Sequence, residues 1–196
     1  MNPTTNFSIR SITGGYDKNF TYIVTCSRTG AQVIVDASVE LRHVSQFIRG
    51  RLTALLITHT HGDHIAYLDQ YLEAFPNMMV IGHPDSNQIN RGKSFKNVKQ
   101  NQSLKIGEMT FLSIHTPGHY YDSICYQLDP ILFTGDTLFV NDVGRTDFYP
   151  NEEHEMAGRL FESLQKLSRL PESAVIYPAH GAGSVCGGGM ADREFS

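Results

Sequence analysis

Short apolar runs alternate with polar turns along the first third of the chain. "FSIRSI", "FTYIVTC" and "AQVIVDAS" are rich in β-branched and aromatic residues, and "TGGYDKN" and "RTG" separate them. That pattern predicts three consecutive strands. In the second run Phe20, Tyr22, Val24 and Cys26 recur every second residue and share one face. The third run ends at Asp36 and leads into "SVELRHVSQFIRG". There Ser38 is placed to cap a helix, with Val39, Val44, Phe47 and Ile48 as its apolar stripe. "LTALLI" is apolar throughout and reads as a buried strand.

The period then lengthens. "HIAYLDQYLEAFPN" places Ile65, Leu68, Leu72 and Phe75 on one side of a helix that Pro76 and Asn77 end. "MMVIGH" returns to a strand. "SFKNVKQNQSLKIGEMTFLSIHT" reads as loop, strand, Gly turn and strand, and "SICYQL" and "ILFTGD" add two more strands. "NEEHEMAGRLFESLQKLSRLP" is the clearest helix, with Met156, Leu160, Leu164 and Leu167 on its stripe. Asn151 and the acidic first turn suit its start and Pro171 its end. "AVIYPAH" is a last strand, and residues 181–196 form a Gly-rich tail. The expectation is one domain over residues 1–196, of mixed α/β (α+β) class, with chemistry-bearing residues at strand ends: Asp36, His59, His115, Asp136 and His180.

Composition narrows the function classes. The 196 residues are 40% hydrophobic and 18% charged, with a net charge of -4, so one substantial core is expected. No basic run points to nucleic acid and no segment has the roughly 20 consecutive apolar residues of a membrane span. The N-terminus "MNPTTNFSIR" lacks the pattern of a secretory signal. Cys26, Cys125 and Cys186 are sparse and far apart, which argues against a disulfide framework and a cysteine zinc site and points to a reducing, cytoplasmic setting.

One stretch breaks the ordinary pattern. "THTHGDH" crowds His59, His61, Asp63 and His64 into six residues after a buried strand. Imidazole and carboxylate are good donors for Zn²⁺ and Fe²⁺, and a cation removes the mutual repulsion of such a cluster. His59 and His61, leaving a strand at i and i+2, can share one ion. Asp63 and His64, at the start of the next helix, suit a second. "HTPGH" adds His119 behind a Pro-Gly turn, "LFTGD" adds Asp136, whose carboxylate can bridge two ions, and "YPAHG" adds His180.

"THTHGDH", "TPGH", "TGD" and "PAHG" together resemble the metallo-β-lactamase superfamily over nearly the whole chain. The resemblance implies an αββα sandwich with metals at one sheet edge. It implies a first site of His59, His61 and His119, a second of Asp63, His64 and His180, and Asp136 bridging them. "GDTLFVNDVGRTDF" is similar to the corresponding region of hydroxyacylglutathione hydrolases (glyoxalase II type) and persulfide dioxygenases. "PAHGAGSVCGGGM" is similar to the metallo-β-lactamase domains of rhodanese-fused proteins of sulfur metabolism. Within the 196 residues the expectation includes neither a rhodanese domain nor a helical glutathione-binding extension.

The favoured implication is a hydrolase of thioesters or similar acyl substrates. It would use two divalent ions, zinc first, and a metal-bound hydroxide, with Asp63 orienting or deprotonating the water and Asp136 holding both metals. The alternative is a persulfide dioxygenase oxidising a thiol persulfide to sulfite, with one Fe(II) on His59, His119 and Asp136. A non-catalytic metal-binding module predicts a damaged ligand set, and this set is intact. Arg145 is a candidate for an anionic substrate group, or else a local partner of Asp147. Tyr120 and Tyr121 are candidates to line the cleft. His115 is a candidate support for a ligand, and Cys186 an accessible thiol. His43, His83 and His154 have no partner motif. The partner expected is a small thioester or persulfide, with no nucleic acid or membrane, and a homo-oligomer is compatible with the chain.

Overall fold

A computed structural model describes residues 6–86, 89, 94–181 and 184. Cys186 and most of the Gly-rich tail lie outside these residues. Thirteen strands run along the described chain. The first six are β1 Phe7–Gly14, β2 Asn19–Cys26, β3 Ala31–Val35, β4 Arg51–Leu56, β5 Met79–Gly82 and β6 Phe95–Asn97. The others are β7 Ser103–Ile106, β8 Met109–His115, β9 Ile124–Leu128, β10 Ile131–Gly135, β11 Leu138–Phe139, β12 Asp142–Val143 and β13 Val175–Pro178. Three helices accompany them: α1 Leu41–Val44, α2 Leu68–Ala74 and α3 Glu153–Leu167.

Strands β1 to β6 form one sheet in sequence order, and a second sheet has the order β13-β10-β9-β8-β7. Residue alternation along each strand explains the layering. Phe20, Tyr22, Val24 and Cys26 of β2 meet Phe111, Tyr126 and Phe133 of the second sheet in a shared core. The intervening Ile23, with Ile34, Leu55 and Val80, turns outward and is covered by Val44, Leu68 and Tyr71. On the other side Ile114, Cys125 and Leu132 are covered by Leu167 of α3. The order of layers is therefore helix, sheet, sheet, helix, as the resemblance implies. Each fully buried Leu, Ile or Phe contributes roughly 1.5–3 kcal/mol. Burial pushes the Cys125 thiol up to about 11, and Cys26 is wholly buried, so both are core residues.

The helical boundaries differ from expectation, because backbone groups find partners outside the helices. The segment after Ser38 makes only α1 and a 3-10 turn at Ser45–Phe47, and no side chain caps α1. Ala37 N–H donates to the His64 carbonyl, and Tyr67 N–H donates to the Ala37 carbonyl. These cross-bonds tie the two segments together and leave residues 62–67 in turns, so α2 starts at Leu68 rather than at His64. Asp63 and His64 therefore sit in the turn before α2, not in its first turn. Tyr71, 0% exposed, is the main buried residue of α2 beside Leu68, and its hydroxyl donates to the Val39 carbonyl at 2.8 Å. In α3 the fully buried set is Met156, Leu160, Ser163 and Leu167, and Glu152 rather than Asn151 occupies the N-cap. Ser163 is buried because its hydroxyl donates to the Pro117 carbonyl at 2.8 Å.

β3, β4 and β5 are parallel, and β10 is parallel to β13. Their carboxyl ends meet at one edge of the sandwich. There the two sheets are tied directly: Phe20 N–H donates to Ala179 O, and Ile124 N–H to Thr58 O, both at 2.7 Å. The Tyr126 hydroxyl adds a donation to Ile57 O at 2.9 Å.

Candidate metal centre

Seven residues gather at that edge. His59, His61 and Asp63 follow β4, with His64 next in the turn. His119 lies beyond β8, Asp136 beyond β10 and His180 beyond β13. Pro117-Gly118 makes the turn that brings His119 back, with Gly118 at φ 146°. A Cβ there would meet the Leu160 backbone at 2.4 Å, so glycine lets this loop pack on α3.

The seven side chains fall into two groups. His59, His61, His119 and Asp136 offer ligand atoms within 4.8 Å of one another, and so do Asp63, His64 and His180. Asp136 faces both: Oδ1 is 3.4 Å from His64 Nε2, while Oδ2 is 3.4 Å from His119 Nε2 and 3.3 Å from His180 Nε2. Six buried atoms of this cluster make no hydrogen bond: His59 Nε2, His61 Nδ1, His64 Nε2, His119 Nε2 and both Asp136 oxygens. Buried polar atoms are ordinarily paired. An unpaired set of nitrogens and carboxylate oxygens around one centre fits divalent cations.

The opposite ring nitrogens are engaged. His64 Nδ1 is 2.9 Å from Asp36 Oδ2, His119 Nδ1 is 3.0 Å from Arg145 O, and His180 Nδ1 is 2.9 Å from Asp17 O. His59 Nδ1 is 3.2 Å from Thr58 Oγ1. A hydrogen bond from Nδ1 fixes the tautomer that leaves Nε2 free as a ligand. His61 is reversed and presents Nδ1.

Charge within the cluster is uneven. Burial, and then His64 and His119, hold His59 well below its ordinary value. Burial lowers His119 to about 4 and also lowers His61. His64 goes the other way. Burial opposes its charge, but Asp136 and then Asp36 raise it well above the usual histidine range. Burial pushes the Asp136 carboxyl up, yet His64 and His180 outweigh it and hold it well below 3.8. Asp63 is likewise held low, by His64 and the Asn19 amide against burial.

Several supporting residues escaped the sequence reading. Asn19 donates to Asp63 Oδ2 at 2.7 Å and lies 3.5 Å from His180 Nε2. Asp36 accepts from Thr58 as well as from His64. Asp122 accepts from the Thr60 and Ser86 hydroxyls at 2.7 and 2.6 Å. Phe148 stands against His61 with ring centroids 4.6 Å apart. Of these only Asp36, at a strand end, carried a signal; the others sit in stretches that read as ordinary turns.

Tyr120 stacks on His61 at 5.3 Å and 16°, beside the cluster. Tyr121 turns toward α3, where its hydroxyl donates to Glu152 and its ring meets Arg159. The Arg145 guanidinium donates twice to Asp147 at 2.6 Å, and its backbone carbonyl is what meets His119. His115 is not among the seven; it stacks on His83 at 4.1 Å. His43 and His154 are exposed.

Comparison with known proteins gives the family. The family model described as the metallo-beta-lactamase superfamily matches residues 14–180. The chain belongs to the metallo-β-lactamase superfamily. It is 32% identical over 177 residues to the probable hydroxyacylglutathione hydrolase glo2 of Schizosaccharomyces pombe, covering 85% of this chain and 65% of that one. It is 35% identical over 132 residues to the hydroxyacylglutathione hydrolase of Francisella tularensis subsp. novicida, covering 66% and 50%. The chain thus spans less than two thirds of the length of these relatives. Among solved structures, ETHE1 from Myxococcus xanthus is similar with a TM-score of 0.77 and 28% identity, over 96% of this chain and 79% of that one. Among the described residues no helix is long and apolar enough to cross a membrane.

Proposed function

We propose that the chain is a metal-dependent hydrolase that cleaves a thioester or similar acyl substrate. The carrying observation is the pair of ligand groups sharing Asp136 around six unpaired buried atoms. Similarity to hydroxyacylglutathione hydrolases supports the substrate class. His59, His61 and His119 would hold one divalent ion, Asp63, His64 and His180 a second, and Asp136 both, with zinc favoured. Bound ions supply Lewis acidity and water whose pKa falls to about 7.

The chain's own groups do the rest. Asp63, kept ionised and fixed by Asn19, would orient the attacking water or accept its proton. Tyr120 and Phe148 flank His61 and give the substrate an aromatic wall. Arg145 reaches an anionic substrate group only by giving up Asp147. The leaving thiol has a pKa of about 8.5, so it departs as thiolate without a strong general acid. Free, buried Cys26 and Cys125 suit a reducing, cytoplasmic setting.

A second reading rests on the ETHE1 likeness: one Fe(II) on His59, His119 and Asp136, oxidising a thiol persulfide. Elemental analysis of anaerobically purified protein separates the two. About two zinc ions per chain, with cleavage of a thioester, supports the hydrolase. About one iron, with oxygen uptake on a thiol persulfide, replaces it with the dioxygenase.

A further inference from the structure

We propose that a cavity on the outer face of the first sheet binds a small dianion, a phosphoryl or dicarboxylate group, between Arg10 and Arg49. The cavity has a volume of about 320 Å³ and is lined by Ser8, Arg10, Thr25, Gln32, Phe47 and Arg49, among others. That is the size of a small-molecule site, at the lower end of the range.

The wall is built rather than incidental. Gln32 is 3% exposed, and every part of its carboxamide is used. Its nitrogen donates to Thr25 Oγ1 at 3.0 Å and to Phe47 O at 3.1 Å. Its oxygen accepts the amides of Arg49 at 3.0 Å and Gly50 at 2.8 Å. A buried strand residue therefore clamps the loop that carries Arg49 against the sheet. On the other side the Arg10 guanidinium lies over the Phe47 ring, 4.4 Å from its centroid. Stacking holds one face of that group and leaves its N–H edge to donate.

Neither arginine has an acidic partner among the described residues. Arg28, Arg42, Arg145 and Arg159 each pair with a carboxylate within 3 Å. The chain carries 20 acidic residues against 16 basic ones, so carboxylates are not scarce. Arg10 and Arg49 both line the cavity, and two cations on one wall disfavour each other. A dianion removes that repulsion and matches their fork geometry with paired hydrogen bonds. The Ser8 and Thr25 hydroxyls add neutral donors.

The site is separate from the metal centre. Arg10 pairs in register with Ile23, and Thr25 with Gln32 near the start of β3. The metal-ligand residues lie past the opposite, carboxyl ends of the strands. The proposal therefore does not depend on which reaction the centre performs.

The test is NMR of the arginine Nε–Hε signals in the metal-loaded full chain, titrated with inorganic phosphate and, separately, with succinate at constant ionic strength. Expected are saturable shifts of the Arg10 and Arg49 signals with one or both anions. Saturation with phosphate alone assigns a phosphoryl ligand, and with succinate alone a dicarboxylate. Arg10→Gln and Arg49→Gln should each weaken the response of the other arginine at least tenfold, with metal content unchanged. Phosphate binding at the metals would leave both arginine signals still. Linear, unsaturated shifts with both anions, or equal affinity in the variants, would overturn the proposal.

Discussion

Asp36 accepts both the backbone amide and the hydroxyl of Thr58, each at 2.7 Å. Asp122 does the same for Thr60, less tightly at the amide, at 3.4 and 2.7 Å. The alternation of "THTH" therefore has two purposes on two faces. The histidines point into the ligand cluster, and the threonines point away, into buried aspartates that hold the segment after β4. Asp36 also meets His64 Nδ1, so it serves both ligand groups. Asp36→Ala leaves two Thr58 donors and one His64 donor buried and unpaired. The expected cost is about 10- to 100-fold in metal affinity and at least 1–3 kcal/mol in stability. Thr60→Val should cost less in both. Chelator competition and urea unfolding read the two quantities, and unchanged metal affinity in Asp36→Ala would refute the clamp.

Asp136 faces both ligand groups with its two carboxylate oxygens. Asp136→Ala should reduce metal content at both sites and abolish activity, because no described side chain can take the shared position. His43→Ala should leave both intact, since His43 is exposed and outside the cluster. Metal analysis of the two variants beside the parent gives the comparison. Full metal content in Asp136→Ala would end the two-ion assignment.

Much of this architecture was legible in sequence, and the reason is local chemistry. A period of two placed Phe20, Tyr22, Val24 and Cys26 on one face, and that face is the central core. Chemistry-bearing residues at strand ends made the seven-residue cluster visible, since each ligand sits within a short motif. What stayed hidden depends on distant partners. Asp122 acts on Thr60 from 62 positions away, and Asn19 acts on Asp63 from 44; neither stretch looks unusual alone. The start of α2 was misplaced for a similar reason. Ala37 donates to the His64 carbonyl and accepts from the Tyr67 amide across a gap that no periodicity reports. Arg145 resolved toward Asp147, a partner two residues away that the sequence had offered as the alternative.

Acid should destabilise the metal-free protein in a defined window. An unfolded histidine takes up a proton near pH 6.5, whereas folded His119 does so only at about 4, and folded His59 is also held well below 6.5. Between those values the unfolded chain binds more protons, so stability falls as pH falls. His64 is raised, so its contribution is complete below pH 6.5 and does not change in this window. His119 alone corresponds to a loss of roughly 3 kcal/mol from pH 7 to pH 4. Urea midpoints of chelator-treated protein at pH 7 and pH 5 should show most of this. A flat profile would mean that these rings are not kept neutral.

Gly144 shows how little room the centre leaves. A Cβ at this position would lie 1.9 Å from the Asp136 carbonyl oxygen and 3.0 Å from His119 Nδ1. The first distance is far inside van der Waals contact and the obstacle is backbone, so rotamer changes cannot relieve it. Gly144→Ala must push the loop after β12 away from β10. That loop carries Arg145, whose carbonyl holds His119 Nδ1 at 3.0 Å. Overpacking of this kind costs typically 1–3 kcal/mol, and here the displacement also frees a ligand. The variant should therefore lose affinity at the His59, His61 and His119 group more than at the Asp63, His64 and His180 group. Stepwise metal titration followed by calorimetry would resolve the two. Equal loss at both would indicate general unfolding of the edge rather than release of His119.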